Sequence, residues 1–358
     1  MCSPTRASIL SGRHVIHTGV YTPFAQGTAL RLSLNFSLLP QHLSSLGYKT
    51  HMVGKWHIGQ NELAALPTGR GFDSSYGYWS GAETYYSHEA SGAYDFAEGT
   101  QTCAAANGSY STNLFAERAV RIVLAHEFKT SPLFLYLAFQ AIHWPLEVDA
   151  SHKKRFDNTT GGSSRRQSVA AMATVLDEGV GNVTRALKQA GQWERALVIF
   201  VSDNGGPTHG DEETNSNNYP MRGGKNTLWE GGTRVVACAR GAGISPHLVG
   251  IFFFFLSLTS YNSHHNSRAQ SREKCRRRGA SSGQKTRRGI EGEDPATAGI
   301  ERFFSRKGPR EKNNVSFLKY VGGGDGEHLQ GLREGHVLRT TERALSSYSH
   351  LSSCYLYI

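Results

Sequence analysis

Two stretches of this chain, SPLFLYLAFQAIHWP and ALVIFVSDNGG, each hold an apolar run with no polar alternation, Leu133 to Phe139 and Leu197 to Val201. A strand with one wet face alternates, so strands of this kind belong in a sheet covered by helices on both sides. Between them, SVAAMATVLDEGVGNVTRALKQAG places Val169, Met172, Ala173, Leu176, Val180, Val183 and Leu187 at helical spacing, with Gly191 as a stop. Buried strands alternating with amphipathic helices predict an α/β fold with a mixed, mostly parallel sheet flanked by helices. In such sheets the loops at the carboxyl ends of the strands carry the site. His143 follows the first run, and Asp203 and Asn204 follow the second.

Other segments bring chemistry toward the same end. In MCSPTRASILSGRH, Ser3 can cap a helix, Pro4 suits its first position and Gly12 can close it, which sets Cys2 at a positive helix end. LLPQHLSSLGYKTHMVGKWHIG reads as a helix ending at Gly47 and a strand from Lys49 to Val53. Lys55 and His57, two apart, point the same way if that segment is extended. RGGKNTLWEGG offers Lys225 in a glycine-rich loop, and the oxygens of Asp203 and Asn204 suit a hard cation. His14 and His17 could share a helix face, but no third ligand accompanies them, which argues against zinc.

The net charge of +10 is unevenly spread: residues 1–245 carry 21 Lys+Arg against 19 Asp+Glu, and residues 246–358 carry 18 against 10. The first part has no electrostatic footprint for nucleic acid. Residues 246–358 show neither period and read as a separate basic, low-complexity tail, disordered or mistranslated; FFFFLSL fits the pyrimidine-rich codons found ahead of a splice acceptor, and the terminal LSSYSHLSSCYLYI reads as holding no stable element. The run Leu248 to Leu258 is too short to span a bilayer, which takes about 20 residues. No signal peptide precedes Cys2. Five scattered cysteines, Cys2, Cys103, Cys238, Cys275 and Cys354, form no metal or dense disulfide pattern. Sequons at Asn35, Asn107, Asn158, Asn182 and Asn314 permit glycosylation in the secretory route.

Taken in order, CSPTR, GKWH, AIHWP, SDNGG and NNYPMRGGKNTLWEGGTR, with TYYSHE and YSTNLFAERAV, resemble the sulfatase family, most closely its arylsulfatase B type, over residues 1 to about 240. The resemblance implies an alkaline-phosphatase-like domain over residues 1–245. It implies that an enzyme of the endoplasmic reticulum oxidises Cys2 to formylglycine, recognising Pro4 and Arg6. The hydrated aldehyde would then cleave sulfate esters of sulfated sugars or aryl sulfates, beside a calcium ion held by residue 2, Asp203 and Asn204. Arg6, Lys55, His57, His143 and Lys225 would be catalytic, with Lys55, His143 and Lys225 touching the sulfate. The intact parent would be lysosomal or secreted.

The chain departs from that pattern at both ends. The family's first strand, with its two adjacent aspartates, and its smaller C-terminal domain have no counterpart, which predicts an open slot in the sheet, an incomplete calcium site and a chain inactive as written. Cys103 lacks the partner that its relatives have. Two other readings follow: a non-catalytic protein whose basic tail binds polyanions, and a phosphate-ester hydrolase of the same superfamily. The latter would want a Ser or Thr nucleophile and a two-zinc site, where this chain has Cys2 and SDNGG.

Overall fold

The computed structural model describes residues 1–157, 160–208, 212, 214–241, 244 and 354–358. Its strands are β1 (Lys49–Lys55), β2 (Ser74–Tyr78), β3 (Glu89–Ala90), β4 (Ala93–Tyr94), β5 (Ala97–Glu98), β6 (Gln101–Thr102), β7 (Leu133–Ala138), β8 (Val198–Ser202), β9 (Ala237–Arg240) and β10 (Cys354–Tyr357). The α-helices are α1 (Cys2–Ser11), α2 (Val15–Thr18), α3 (Leu39–Ser45), α4 (Ser111–Ala125), α5 (Ala150–Lys153), α6 (Ser164–Gln189) and α7 (Glu230–Thr233).

The main sheet runs β6-β5-β2-β1-β7-β10-β8-β9, and β3 and β4 form a separate hairpin. β1 pairs in parallel with both β2 and β7. β10 is antiparallel to β7 on one side and to β8 on the other, so the long strands β2, β1, β7 and β8 share one direction. The mixed, mostly parallel sheet flanked by helices is the one the apolar runs predict.

Alternate residues of β7 serve two cores. Leu133, Leu135 and Leu137 pack with Phe115, Ala116, Val183 and Leu187 of α4 and α6. Phe134, Tyr136 and Ala138 pack with Ala7 and Leu10 of α1 and with Met52 and Trp56. Every residue of β7 is buried because both faces are covered. Gly54 lets β1 lie against β7: at φ +103° its missing Cβ would run into the backbone of Ala138.

Three expectations change. The terminal LSSYSHLSSCYLYI ends in a strand: Cys354 and Leu356 face the α4/α6 core, while Tyr355 and Tyr357 face the α1 side. Two apolar faces on a four-residue strand suit the bare edges of β7 and β8, so the slot expected to stand open is filled. The rest of the proposed tail, with Asn314, Cys275 and Leu248 to Leu258, lies outside the described residues, as does Asn158. Ser3 is not the cap of α1. The helix begins at Cys2 with Met1 as N-cap, and the Ser3 hydroxyl accepts from the Phe24 amide at 3.0 Å. Among the described residues, no helix is long and apolar enough to cross a membrane.

Candidate functional site

α1 opens at the carboxyl end of the sheet, tied there by Thr5, whose hydroxyl donates to the Asp203 carbonyl at 2.8 Å. Cys2, 2 % exposed, is its first residue, and its Sγ is 4.0 Å from Asn204 Oδ1. Arg6, one turn on, is fully buried: Nη1 donates to the Lys55 carbonyl at 2.7 Å, and Nη2 is 3.8 Å from Asp203 Oδ2. The Arg6 guanidinium lies 4.6 Å from the Tyr355 ring centre, and the Tyr355 hydroxyl donates to Asp203 Oδ2 at 3.4 Å.

β1 delivers Lys55, fully buried, and among the described residues its Nζ has no hydrogen-bond partner. His57 reaches the same place by a different backbone from the extended one expected: its φ is +56°. Its Nε2 is 2.9 Å from the Phe24 carbonyl, which can only accept, so neutral His57 leaves Nδ1, buried and unpartnered, as an acceptor. The loop after β7 brings His143 Nε2 to 3.2 Å from Lys225 Nζ. Lys225 is held by backbone: its amide donates to the Gly206 carbonyl at 3.1 Å.

Asn218, which the sequence reading passed over, pins these two loops together. Its side chain donates to the Gly206 carbonyl at 2.8 Å and the Gly223 carbonyl at 3.0 Å, and accepts from the Gly206 amide at 3.0 Å. Glu212, also passed over, accepts from Lys225 Nζ at 2.5 Å. Both sit in polar, turn-rich sequence with no period to single them out.

The electrostatics follow from burying several charges together. Burial opposes a Cys2 thiolate, but the charges of Lys55 and Lys225, with His143 and His57 alongside, outweigh it and hold the thiol well below its ordinary value. Burial lowers Lys55, which Cys2 only partly offsets. Burial also pushes His57 down to about 4. Lys225 goes the other way: burial works against its charge, and Cys2 and Glu212 overcome that. Asp203 is raised, by burial first and then by Cys2.

A calcium ion takes six to eight oxygens. Of the protein side chains expected to hold one, Asp203 and Asn204 supply oxygens, and Asp203 already faces Arg6 and the Tyr355 hydroxyl. Among the described residues, no three His, Cys, Asp or Glu side chains converge as a metal-binding group. The described residues therefore do not make a calcium site by themselves. Position 2 does fit an aldehyde formed from cysteine, since a buried lysine and a histidine acceptor without partners stand beside it.

With the five other expected catalytic residues gathered around Cys2, the sulfatase family model matches residues 1–287. The chain belongs to the sulfatase family. It is 40 % identical over 244 residues to arylsulfatase J of Mus musculus, covering 66 % of this chain and 40 % of that protein. It is 30 % identical over 261 residues to the N-acetylgalactosamine-6-sulfatase of Mus musculus, covering 67 % and 48 %. It thus spans roughly half or less of the length of these relatives. Among solved structures, it resembles Ps i-CgsB in complex with k-i-k-neocarrahexaose, with TM-score 0.61, 26 % identity and coverage of 68 % and 55 %. It also resembles the PsFucS1 sulfatase from Pseudoalteromonas sp., with TM-score 0.56, 25 % identity and coverage of 67 % and 52 %.

The remaining expectations are structural. Cys2, Cys103, Cys238 and Cys354 are free thiols. Asn35, Asn107 and Asn182 are exposed.

Proposed function

We propose that this chain carries the active site of a sulfuric ester hydrolase acting on sulfate esters of sulfated sugars or on aryl sulfates, with residue 2 working as formylglycine. The observation that carries the reading is Lys55: a buried ammonium with no partner, beside Cys2 and across from the Lys225–His143 pair. A buried cation with no hydrogen-bond partner is costly unless an anion completes it, and Cys2 offsets the burial of Lys55 only in part. A relative is an N-acetylgalactosamine-6-sulfatase and a structural neighbour binds a neocarrahexaose, which supports a sugar sulfate as the substrate class.

When formed and hydrated by water, the aldehyde would supply a hydroxyl nucleophile together with a second hydroxyl whose deprotonation expels sulfate afterwards. Lys55 and Lys225 bind the sulfate oxygens and stabilise the charge that grows on them in the transition state. His143, whose Nδ1 donates to the Trp144 carbonyl at 2.6 Å, accepts from Lys225 at Nε2 and aims that ammonium at the sulfate. His57 accepts a proton at Nδ1, because Nε2 is committed to the Phe24 carbonyl. Arg6 balances Asp203 and fixes the end of β1 through the Lys55 carbonyl.

In this reading, the enzyme that oxidises Cys2 is the chain's partner in the endoplasmic reticulum, and the parent protein is lysosomal or secreted. A calcium ion joins only with oxygens beyond those of the described residues. The likeness to the arylsulfatase B type rests on the sequence motifs.

The test is peptide mass spectrometry of the protein from its native tissue, with arylsulfatase assays of the wild type and Cys2→Ala. Residue 2 recovered as formylglycine, with turnover abolished in the variant, supports the reading. Turnover retained by Cys2→Ala overturns it.

A further inference from the structure

The Lys225 half of this cradle already holds an anion supplied by the chain. Glu212 Oε1 is 2.5 Å from Lys225 Nζ and 3.8 Å from His143 Nε2. The Glu212 side chain is 26 % exposed and that of Lys225 is 3 % exposed, so the carboxylate reaches inward from the solvent edge. On the other side, Lys55 Nζ stands without a partner. The two lysines are thus unequal.

A carboxylate and a sulfate monoester offer a lysine the same thing, a negative oxygen in hydrogen-bond reach. They cannot share Lys225 without bringing two like charges together where little water screens them. A partly exposed glutamate can swing toward solvent at small cost, whereas Lys225 is fixed through the Gly206 carbonyl.

We infer that Glu212 is an internal anion that occupies the Lys225–His143 half of the cradle and is displaced when a sulfate group enters. The inference rests on the proposed reading of this pocket as a sulfate site. It makes Glu212 a residue that sets anion affinity: the site stays neutralised when empty, and a sulfate must outcompete a tethered carboxylate.

The experiment is titration calorimetry of the full chain with sodium sulfate at constant ionic strength, for wild type, Glu212→Gln, Glu212→Asp and Lys225→Ala, each checked for folding by circular dichroism. Glu212→Gln should bind sulfate roughly tenfold more tightly, a change of ~1.4 kcal/mol. Glu212→Asp should bind like the wild type, and Lys225→Ala should lose most of the affinity. A glutamate that only propped the loop would give weaker binding on removal. Affinity unchanged or reduced in Glu212→Gln, with sulfate still lost in Lys225→Ala, overturns the internal anion and leaves the sulfate site standing. Folded proteins that all fail to bind sulfate overturn the sulfate site and this inference with it.

Discussion

His143 Nε2 and Lys225 Nζ lie 3.2 Å apart although 82 positions separate them in the chain. Each comes from a loop at the carboxyl end of the sheet, and both act on Cys2 there. Lys225→Ala removes a cation from that site, and in an enzyme assembled to turn over aryl sulfate kcat/KM should fall by about a hundredfold. Steady-state kinetics on a chromogenic aryl sulfate check this, and a change under threefold would remove Lys225 from the site.

A second prediction concerns a buried pair away from the pocket. Glu83 Oε1 is 3.2 Å from His88 Nδ1, and His88 Nε2 is 3.0 Å from the Ala106 carbonyl. Burial raises Glu83 well above its usual 4.5, and burial lowers His88, so the pair is neutral: a protonated Glu83 donates to Nδ1. A carboxyl raised in the folded state contributes stability that is present below pH 4.5 and lost as pH rises through its folded value. Glu83→Gln keeps a donor without that loss. Urea midpoints should show the variant more stable than wild type at pH 7, with the advantage vanishing near pH 4.5. An equal advantage at both values would contradict the neutral pair.

Leu356 is 1 % exposed in the core between α4, α6 and the sheet. Leu356→Ala should cost roughly 2–5 kcal/mol, the range for emptying a buried leucine site. Chemical denaturation measures it, and a loss below 0.5 kcal/mol would mean that β10 is not seated between β7 and β8 in solution.

Gly54→Ala should be more damaging still, because the added methyl meets the backbone of Ala138 and the residue must hold φ +103°. A cost above ~3 kcal/mol is expected, read as loss of soluble protein. Wild-type yield and melting temperature in this variant would show that β1 and β7 do not approach so closely.

What the sequence discloses divides by distance along the chain. β7 and β8 are visible because their unbroken apolar runs are local, and His143 and Asp203 are visible because they follow those runs directly. β2 escapes notice because Ser74, Ser75 and Gly77 are poor strand formers, held here by pairing with β1 and β5 alongside. Lys55 and His57 do meet at Cys2, but through a left-handed turn at His57 that no spacing rule contains. Glu212, Asn218 and Tyr355 act through partners 13, 12 and 152 positions away, and only the folded chain brings those together.

The position of β10 also bears on how such a chain reaches its native state. More than a hundred residues separate β9 from β10. On a ribosome, helices α1 to α6 and the strands as far as β9 emerge while β7 and β8 still lack the neighbour that lies between them. Until Cys354–Tyr357 arrives, the middle of the sheet is a pair of unpaired edges flanked by apolar side chains, a form that invites pairing with other chains. Strand insertion over so long a separation is slow, so these two edges stay open to mispairing until the end of the chain has been made.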